Sequence, residues 1–553
     1  MDASVTGGVT RSGELVRYSA FTGAASHHGQ AALRKKVYRQ GAADRIGSAV
    51  AVMKCASGRT GISFAAIFLL IASLALPAGA STPQPLAGVR SVTSGYGTSC
   101  ALLTSGHVDC WGWGHSGTLG NGKFYEASPY GSALPVAVKG VGGTGTLSGV
   151  ASIASLDYYS SFCALLVSGE VDCWGWGADG ELGNGTFYAG IHEGSAFPVA
   201  VKGVGGSGVL TGVAGLTGSD EVFCARLTSG KVDCWGGGGE GELGNGTIGM
   251  SAVPVAVRGV GGPRTLSGVA SLTSASENFC ARLTSGEVAC WGRGDSGQLG
   301  NGRFYTTGHR ASAIPVAVKG VGGSGTLTGV ARVTNEGSSS AYGGFCALLT
   351  SGKVDCWGWT QNSAVPVAVK GLGGAGTLGG AASLTGYVGG SCAVLTSGKV
   401  DCWGQDSLGE LGNGTHGGDH PVPVSVKAVG GSGTLDGVAR ITDVQYGSCA
   451  LLVSGSVDCW GGGVDGVLGN GTFDSTPLPK AVEGVGGTGN LSGVASLASN
   501  ASGSDMSALL ASGEVDCWGE GSSGQLGNGT FYTTGPPGNQ GSPFPVGVLS
   551  PAP

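Results

Sequence analysis

The sequence predicts an all-β protein built from eight tandem repeats. The segment Cys-Trp-Gly recurs at steps of 46 to 66 residues, with its cysteine at Cys110, Cys173, Cys234, Cys290, Cys356, Cys402, Cys459 and Cys517. Glycine is abundant, at 114 of 553 residues, and holds fixed places in each repeat, as tight turns require. Only 12% of residues are charged, so the chain is too apolar to be disordered. A repeat that covers most of a chain indicates one repeat architecture rather than several unrelated domains.

Each repeat is predicted to hold four short antiparallel strands. In the second copy these are expected at residues 149–154, 161–167, 171–174 and 198–202, with Gly, Ser and Asn between them. Pro198 is expected to start the fourth strand, where a missing N–H is tolerated. Four strands per repeat predict a β-propeller blade. Eight motifs favour eight blades. Seven blades are the alternative, because the fifth copy lacks the Leu-Gly-Asn-Gly turn after Trp359.

The cysteines predict disulfides inside the blades. A three-residue hairpin loop at residues 104–106 places Cys100 directly opposite Cys110, within disulfide reach. The same spacing gives the pairs Cys163/Cys173, Cys224/Cys234, Cys280/Cys290, Cys346/Cys356, Cys392/Cys402 and Cys449/Cys459. Ser507 replaces the first cysteine of the eighth copy, so Cys517 is predicted to be a free thiol. Two alternatives are reduced, buried cysteines and a metal site, although no C-x-x-C or recurring histidine supports a metal.

Other recurring residues are interpreted as structural. The repeated tryptophans are expected to fill the core between blades, at Trp111, Trp174, Trp235, Trp291, Trp357, Trp403, Trp460 and Trp518. Residues 140–145 fit G-x-G-x-x-G, but no strand–helix unit surrounds them, so they are predicted to be connections. An aspartate precedes most second cysteines, as at Asp109, and a cation ring is the alternative to a structural role. Because catalysis needs one asymmetric constellation, we expect no enzyme, no catalytic residue, no metal and no cofactor.

The N-terminal region has the layout of a secretory signal peptide. An apolar run at residues 62–76 follows Lys54 and Arg59 and precedes small residues at 78–80. We predict a signal peptide at residues 53–80, with an uncleaved membrane anchor as the alternative. Residues 1–52 are predicted to be a disordered extension or to result from a wrongly assigned start, and residues 81–553 to form a single propeller. The mature protein would be secreted or displayed on the cell surface, without membrane contact after cleavage.

The repeat resembles that of the regulator of chromosome condensation family. Residues 169–175 (Gly-Glu-Val-Asp-Cys-Trp-Gly) and 180–185 (Gly-Glu-Leu-Gly-Asn-Gly) carry the resemblance, which extends over about residues 86–549. It implies a propeller of four-stranded blades, and the cysteine pairs resemble those of bacterial secreted members. Founding members exchange nucleotide on a nuclear GTPase and bind chromatin. The first 80 residues hold 9 of the 29 basic and 3 of the 35 acidic residues, so the rest of the chain holds 20 basic and 32 acidic residues, a net charge of −12. The predicted signal peptide, the paired cysteines and this acidic body argue against both functions, and we expect no nucleic-acid partner.

We therefore expect a secreted, monomeric, non-enzymatic propeller that binds an extracellular or cell-surface protein, or a glycan, through variable loops on one face. The alternatives are a guanine-nucleotide exchange factor, by family analogy, and a carbohydrate-binding or cell-surface structural protein. Aromatic and acidic residues in the variable segments are the candidate binding residues: Phe124, Tyr125, Asp157, Tyr158, Tyr159, Phe187, Tyr188, Phe304, Tyr305, Phe531 and Tyr532. The alternative for these aromatic side chains is packing beneath the loops.

Overall fold

The repeats form eight antiparallel sheets of four strands each, so the predicted eight-bladed β-propeller is confirmed. The structure, a computed structural model, describes residues 83–156, 160–306, 310–336, 343–500, 502–534 and 538–551. The predicted N-terminal extension and signal peptide lie outside these residues, as do Asp157, Tyr158 and Tyr159. Within the described ranges, no helical segment has the length and apolar character of a membrane span.

The first four blades follow chain order, with the first strand of each blade pairing with the second, the second with the third, and the third with the fourth. Their strands are β1 (Val89–Ser94), β2 (Thr98–Leu103), β3 (Val108–Trp113) and β4 (Gly131–Ala137) in blade 1; β5 (Val150–Ser155), β6 (Ser161–Leu166), β7 (Val171–Trp176) and β8 (Gly194–Ala200) in blade 2; β9 (Val213–Gly218), β10 (Val222–Leu227), β11 (Val232–Gly236) and β12 (Ser251–Ala256) in blade 3; and β13 (Val269–Ala275), β14 (Asn278–Leu283), β15 (Val288–Arg293) and β16 (Ala311–Ala317) in blade 4.

The last four blades repeat this arrangement. Their strands are β17 (Val330–Asn335), β18 (Gly344–Leu349), β19 (Val354–Gly358) and β20 (Ser363–Ala368) in blade 5; β21 (Ala381–Tyr387), β22 (Gly390–Leu395), β23 (Val400–Gln405) and β24 (Asp419–Ser425) in blade 6; β25 (Val438–Val444), β26 (Gly447–Leu452), β27 (Val457–Gly461) and β28 (Thr476–Ala481) in blade 7; and β29 (Val494–Ser499), β30 (Asp505–Leu510), β31 (Val515–Glu520) and β32 (Gly541–Gly547) in blade 8. Short 3₁₀ turns occur at Val141–Gly143, Val204–Gly206, Val321–Gly323, Leu372–Gly374, Val464–Gly466 and Val485–Gly487. The segments that fit G-x-G-x-x-G thus form connections between blades.

The fourth strand starts earlier than predicted. In blade 2 it begins at Gly194 rather than at Pro198, which lies inside the strand. The pairing of β7 with β8 shifts register between Cys173 and Gly175. Pro198 is tolerated there because β8 is the outermost strand of its sheet and is bulged next to the proline, so its missing N–H breaks no regular ladder.

The cysteines pair across the hairpin formed by the second and third strands. Cys100 lies directly opposite Cys110, and Gly106 closes the hairpin with a φ of 80°. The seven disulfides join Cys100–Cys110, Cys163–Cys173, Cys224–Cys234, Cys280–Cys290, Cys346–Cys356, Cys392–Cys402 and Cys449–Cys459, with Cα–Cα distances of 4.0–4.1 Å. All fourteen cysteines are buried. Each disulfide therefore fixes the register of one hairpin from within the core.

The hydrophobic core lies between blades rather than inside them. Each apolar cluster combines residues of two neighbouring blades; one, for example, joins Cys100 and Leu102 of blade 1 to Phe162 and Trp174 of blade 2. All eight repeated tryptophans are buried, at 2% exposure or less. Blade 8 packs on blade 1 in the same way, through Trp111 and its neighbours. Every blade is contiguous in sequence and no strand is exchanged. The ring is therefore closed by this packing together with backbone hydrogen bonds between the terminal segments, where the N–H of Leu86 donates to the carbonyl of Val548 at 2.8 Å.

Blade 8 offers a direct test of the disulfide register. Ser507 lies opposite Cys517, and its Oγ is 3.2 Å from the buried Sγ. Burial raises the pKa of Cys517, so the thiol stays protonated and unreactive. We expect Ser507→Cys to form an eighth disulfide and to raise the free energy of unfolding by about 2–3 kcal/mol. Alkylation after denaturation of a chain that begins at residue 81, and so lacks Cys55, checks this: the wild type should take one label on Cys517, and the oxidised variant none. Labelling of Cys517 in the variant would contradict the predicted register.

Candidate binding face

The variable segments of the chain lie on one face of the propeller. In a blade of consecutive antiparallel strands, the connections between strands one and two and between strands three and four emerge at the same edge. We call this side the loop face and the opposite side the hairpin face. The hairpins all follow one pattern, whereas the connections between strands three and four range from residues 359–362 in blade 5 to residues 521–540 in blade 8. Binding specificity is therefore expected on the loop face.

The tyrosines of the four predicted Phe-Tyr pairs pack beneath the loops. Each ring is partly buried against an inter-blade core. The asparagine of the preceding Leu-Gly-Asn-Gly turn donates a 2.9 Å hydrogen bond from Nδ2 to the tyrosine hydroxyl, in the pairs Asn121–Tyr125, Asn184–Tyr188, Asn301–Tyr305 and Asn528–Tyr532. These tyrosines support the shape of the loop face.

The phenylalanines of these pairs are more open to solvent. Phe187 and Phe304 are 49% and 47% exposed, respectively. Phe124 is half-buried and stacks on His192 of blade 2, with ring centroids 3.9 Å apart. Phe531 is also half-buried. The four phenylalanines belong to blades 1, 2, 4 and 8, so the structure does not bring them together in one constellation.

Acidic side chains gather on the loop face of blades 2, 3 and 4. We call them the acidic patch: Asp179, Asp220, Glu221, Glu240, Glu277 and Asp295. A cavity of about 310 Å³ lies among Asp220, Glu221, Glu240 and Glu277. Two arginines offset part of this negative charge. The guanidinium group of Arg293 places Nη1 2.6 Å from Oε2 of Glu277 and Nη2 2.9 Å from Oδ2 of Asp295. Nη1 of Arg310 lies 3.8 Å from the same oxygen of Asp295. Six carboxyl groups face two guanidinium groups, which leaves the patch negative.

The crowding of negative charge shows in the pKa values of the patch. Burial raises the pKa of Glu221 to about 7, and the nearby charges of Asp179, Asp220 and Glu277 add to the rise. Burial also raises the pKa of Glu240, again with a contribution from Glu277. A cationic group on a partner would relieve this repulsion and favour the ionised carboxylates.

Blade 5 lacks the turn with which the other blades cover their neighbours. Residues 359–362 alone connect β19 to β20, whereas residues 406–418 make the same connection in blade 6. The short connection leaves a cavity of about 420 Å³ between blades 5 and 6. Glu336, Trp359, Trp403 and Gln405 are among the residues that line it. We call it the blade-5 cavity.

Glu336 is the buried carboxyl group of the blade-5 cavity. It is 1% exposed, and it accepts hydrogen bonds from the side chains of Thr360, Gln361 and Ser391. Burial raises its pKa to about 7. Among the described residues, Glu336 forms the one group with metal-ligand spacing, together with Cys346 and Cys356. Those two cysteines share a disulfide and offer no thiolate, so the group is not a metal site.

The candidate binding residues predicted from the sequence include none that form the acidic patch or line the blade-5 cavity, although Trp403 is predicted as a core tryptophan. The patch is assembled from connections in three repeats, and no single repeat shows it. The cavity does have a signal in the sequence, because the fifth copy lacks Leu-Gly-Asn-Gly. From sequence alone, however, a missing turn can indicate either an irregular blade or a binding site. The repeated aspartates such as Asp109 are buried on the third strands, one in each blade except blade 4, where Ala289 takes the position.

Comparison with known proteins places the fold in a class. Residues 89–118 match the regulator of chromosome condensation (RCC1) repeat. The human E3 ubiquitin-protein ligase HERC2 is 30% identical over 202 residues, which are 36% of this chain and 4% of HERC2. The mitochondrial RCC1 domain-containing protein RUG3 of Arabidopsis thaliana is 27% identical over 370 residues, or 66% of this chain and 64% of RUG3. This chain thus spans less than two thirds of either relative.

A solved structure supports the same class. Human WBSCR16 superposes with a TM-score of 0.50 at 18% identity, and the match covers 71% of this chain and 97% of that protein. At this identity the similarity concerns the fold. Together with the matched repeat, it defines the chain as an RCC1-like β-propeller.

Proposed function

We propose that this chain is a secreted or cell-surface, non-enzymatic binding module that recognises a protein with a basic surface through the acidic patch. The observation that carries the proposal is the asymmetry of the loop face. Four carboxyl groups of the acidic patch line its cavity, and in the described part of the chain two guanidinium groups, those of Arg293 and Arg310, pair with the patch. Charge of one sign in a cleft steers a partner of the opposite sign and fixes its orientation.

The compartment is inferred from the cysteines and the N-terminal sequence. Disulfides persist in oxidising environments, and seven of them in one chain fit a protein outside the cytosol. The apolar run at residues 62–76 fits export. The cysteine-paired repeats agree with the secreted type of this repeat family. Nucleotide exchange on an intracellular GTPase would require the chain to work in a reducing compartment, where such disulfides are rare.

Neutralising the acidic patch is expected to slow and weaken partner binding. The test variant is Glu221→Gln/Glu240→Gln/Glu277→Gln, which preserves side-chain size. The control variant is Glu170→Gln/Glu287→Gln/Glu514→Gln, which removes the same charge from hairpins of the opposite face. Extracellular proteins retained on each immobilised chain are identified, and the association rate of the retained partner is measured. We expect the patch variant to slow association by about tenfold or more and the control to resemble the wild type.

The same experiment reports on pH and salt. Because the pKa of Glu221 lies at about 7, the patch gains charge as the pH rises through that value, and binding should strengthen. Added salt should weaken binding by the wild type and have little effect on the patch variant. Equal retention of the same partner by wild type and patch variant, or loss of binding only in the control, would overturn the proposal.

A further inference from the structure

We propose that the blade-5 cavity is a binding site for a neutral sugar of one or two rings. The site lies on blades 5 and 6, away from the acidic patch, and so goes beyond the proposed protein-binding function. Its volume of about 420 Å³ is within the roughly 300–1,000 Å³ typical of small-molecule sites. Three features of its wall identify the ligand class: an unpaired buried donor, a buried carboxyl group and an accessible indole.

The unpaired donor is Nε1 of Trp403. In each of the other seven blades, the equivalent indole N–H donates to a backbone carbonyl of the preceding blade at 2.7–3.0 Å. In blade 7, for example, Trp460 donates to the carbonyl of Glu410, which belongs to the turn of blade 6. Blade 5 has no such turn. The side chain of Trp403 is buried, at 2% exposure, and its indole N–H therefore has no hydrogen-bond partner in the described part of the chain.

An unpaired buried donor destabilises the fold, because it has lost its hydrogen bond to water and gained none in the protein. A ligand that supplies an acceptor to Trp403 recovers this free energy, so the cavity favours a ligand with a hydroxyl or carbonyl oxygen. Glu336 and the side chain of Gln405 offer acceptors on the same wall. A hydroxyl group both accepts and donates, and it can satisfy the indole N–H together with one of these oxygens.

The third feature is Trp359, which is 43% exposed at the wall of the cavity. An exposed indole provides a flat apolar surface on which the C–H face of a sugar ring can stack. Glycines at 389, 390 and 404 line the cavity and let a ligand approach the backbone closely. The wall thus combines an aromatic surface with a few convergent polar groups, the usual composition of a small-molecule site.

The wall suits a neutral ligand better than an ion. An anion would meet the carboxyl groups of Glu336 and Asp419, both of which line the cavity. A cation would be attracted by these carboxyl groups, but it would leave the N–H of Trp403 unpaired and place positive charge beside a donor. A neutral polyhydroxylated molecule meets neither objection.

The test uses the purified full chain and isothermal titration with methyl glycosides of glucose, galactose, mannose and N-acetylglucosamine. Inorganic phosphate and methylguanidinium serve as charged probes. We expect at least one glycoside to bind saturably and neither ion to bind. Trp403→Phe removes the donor while keeping an aromatic ring and should weaken binding by about tenfold or more. Trp460→Phe is the matched control in the next blade and should leave affinity unchanged within about twofold.

A second variant keeps the test decisive if Trp403→Phe folds poorly. Trp359→Ala removes a partly exposed ring and should also abolish glycoside binding. The acidic-patch triple variant should bind the glycoside normally, so failure of the protein-binding proposal is distinguishable from failure of this one. Absence of saturable glycoside binding by the folded wild type would refute the proposal. Preference for either ion, or equal effects of Trp403→Phe and Trp460→Phe, would do the same.

Discussion

Reduction of the seven disulfides is expected to prevent this propeller from refolding. Each disulfide closes a hairpin and stabilises the fold by about 2–3 kcal/mol through restriction of the unfolded chain. Seven such contributions exceed the net stability of about 5–15 kcal/mol typical of folded domains. Because the cysteines are buried, the bonds must be reduced in denaturant. Refolding is then followed by circular dichroism with and without reductant, and only the oxidised chain should regain its cooperative unfolding transition.

Single-blade variants separate this effect from general loss of packing. Cys280→Ala/Cys290→Ala should lower the free energy of unfolding by about 2–3 kcal/mol, with the fold retained. Cys517→Ala in blade 8 removes a buried thiol without breaking a bond, and it should cost less. Blade 8 already shows that a blade can form without a disulfide. If the fully reduced chain unfolds at the same denaturant concentration as the oxidised one, the disulfides contribute no stability.

The fold was predictable from sequence because each repeat encodes its own sheet. Turn residues separate short apolar runs, and the ten-residue cysteine spacing fixes the register of the central hairpin. Eight copies repeat the same information, so an error in one is corrected by the others. The predicted start of the fourth strand is wrong, because a proline in sequence favours a strand boundary whereas Pro198 lies inside β8. The proline is tolerated inside the strand because β8 lies at the edge of its sheet and is bulged there, and both features are visible only in the assembled sheet.

The candidate sites were less predictable because they arise from differences between repeats. Glu221 and Glu277 belong to blades 3 and 4 and come together only when these two blades pack side by side. Trp403 matches the other seven tryptophans in sequence. Its indole N–H lacks a hydrogen-bond partner among the described residues because the preceding blade lacks the turn that would supply a carbonyl. A pattern that recurs identifies the core. A departure from that pattern marks a possible site only when the structure shows which neighbour it leaves uncovered.

Glu181 and Glu242 are expected to make the propeller markedly less stable at alkaline pH. Both side chains are buried, at 0% and 7% exposure. Burial raises the pKa of each carboxyl group from 4.5 to about 8, with the nearby charges of Asp179 and Glu221 adding to the rise at Glu181. The folded state therefore holds a proton that the unfolded state has released. Stability is lost as the pH rises from about 4.5 to about 8, at up to about 1.4 kcal/mol per pH unit for each group.

The chain itself supplies the replacement that tests this effect. Gln298 and Gln525 occupy the equivalent position in blades 4 and 8, and each accepts a hydrogen bond from the backbone N–H two residues earlier at 2.8 Å. Glu181 and Glu242 accept the same bond at 2.9 Å. Glutamine mimics the protonated acid, so Glu181→Gln/Glu242→Gln should match the wild type near pH 5 and exceed it by several kcal/mol near pH 9.

Urea unfolding at several pH values measures the difference, with Glu514→Gln on a surface hairpin as the control. A stability gap between double variant and wild type that widens with rising pH is the expected result. A gap that is constant with pH would mean that the two carboxyl groups ionise in the folded state as they do in the unfolded chain. In that case burial of the two carboxyl groups would not disfavour their ionised forms. The backbone carbonyls of the same two residues accept the hydrogen bonds of Trp235 and Trp291.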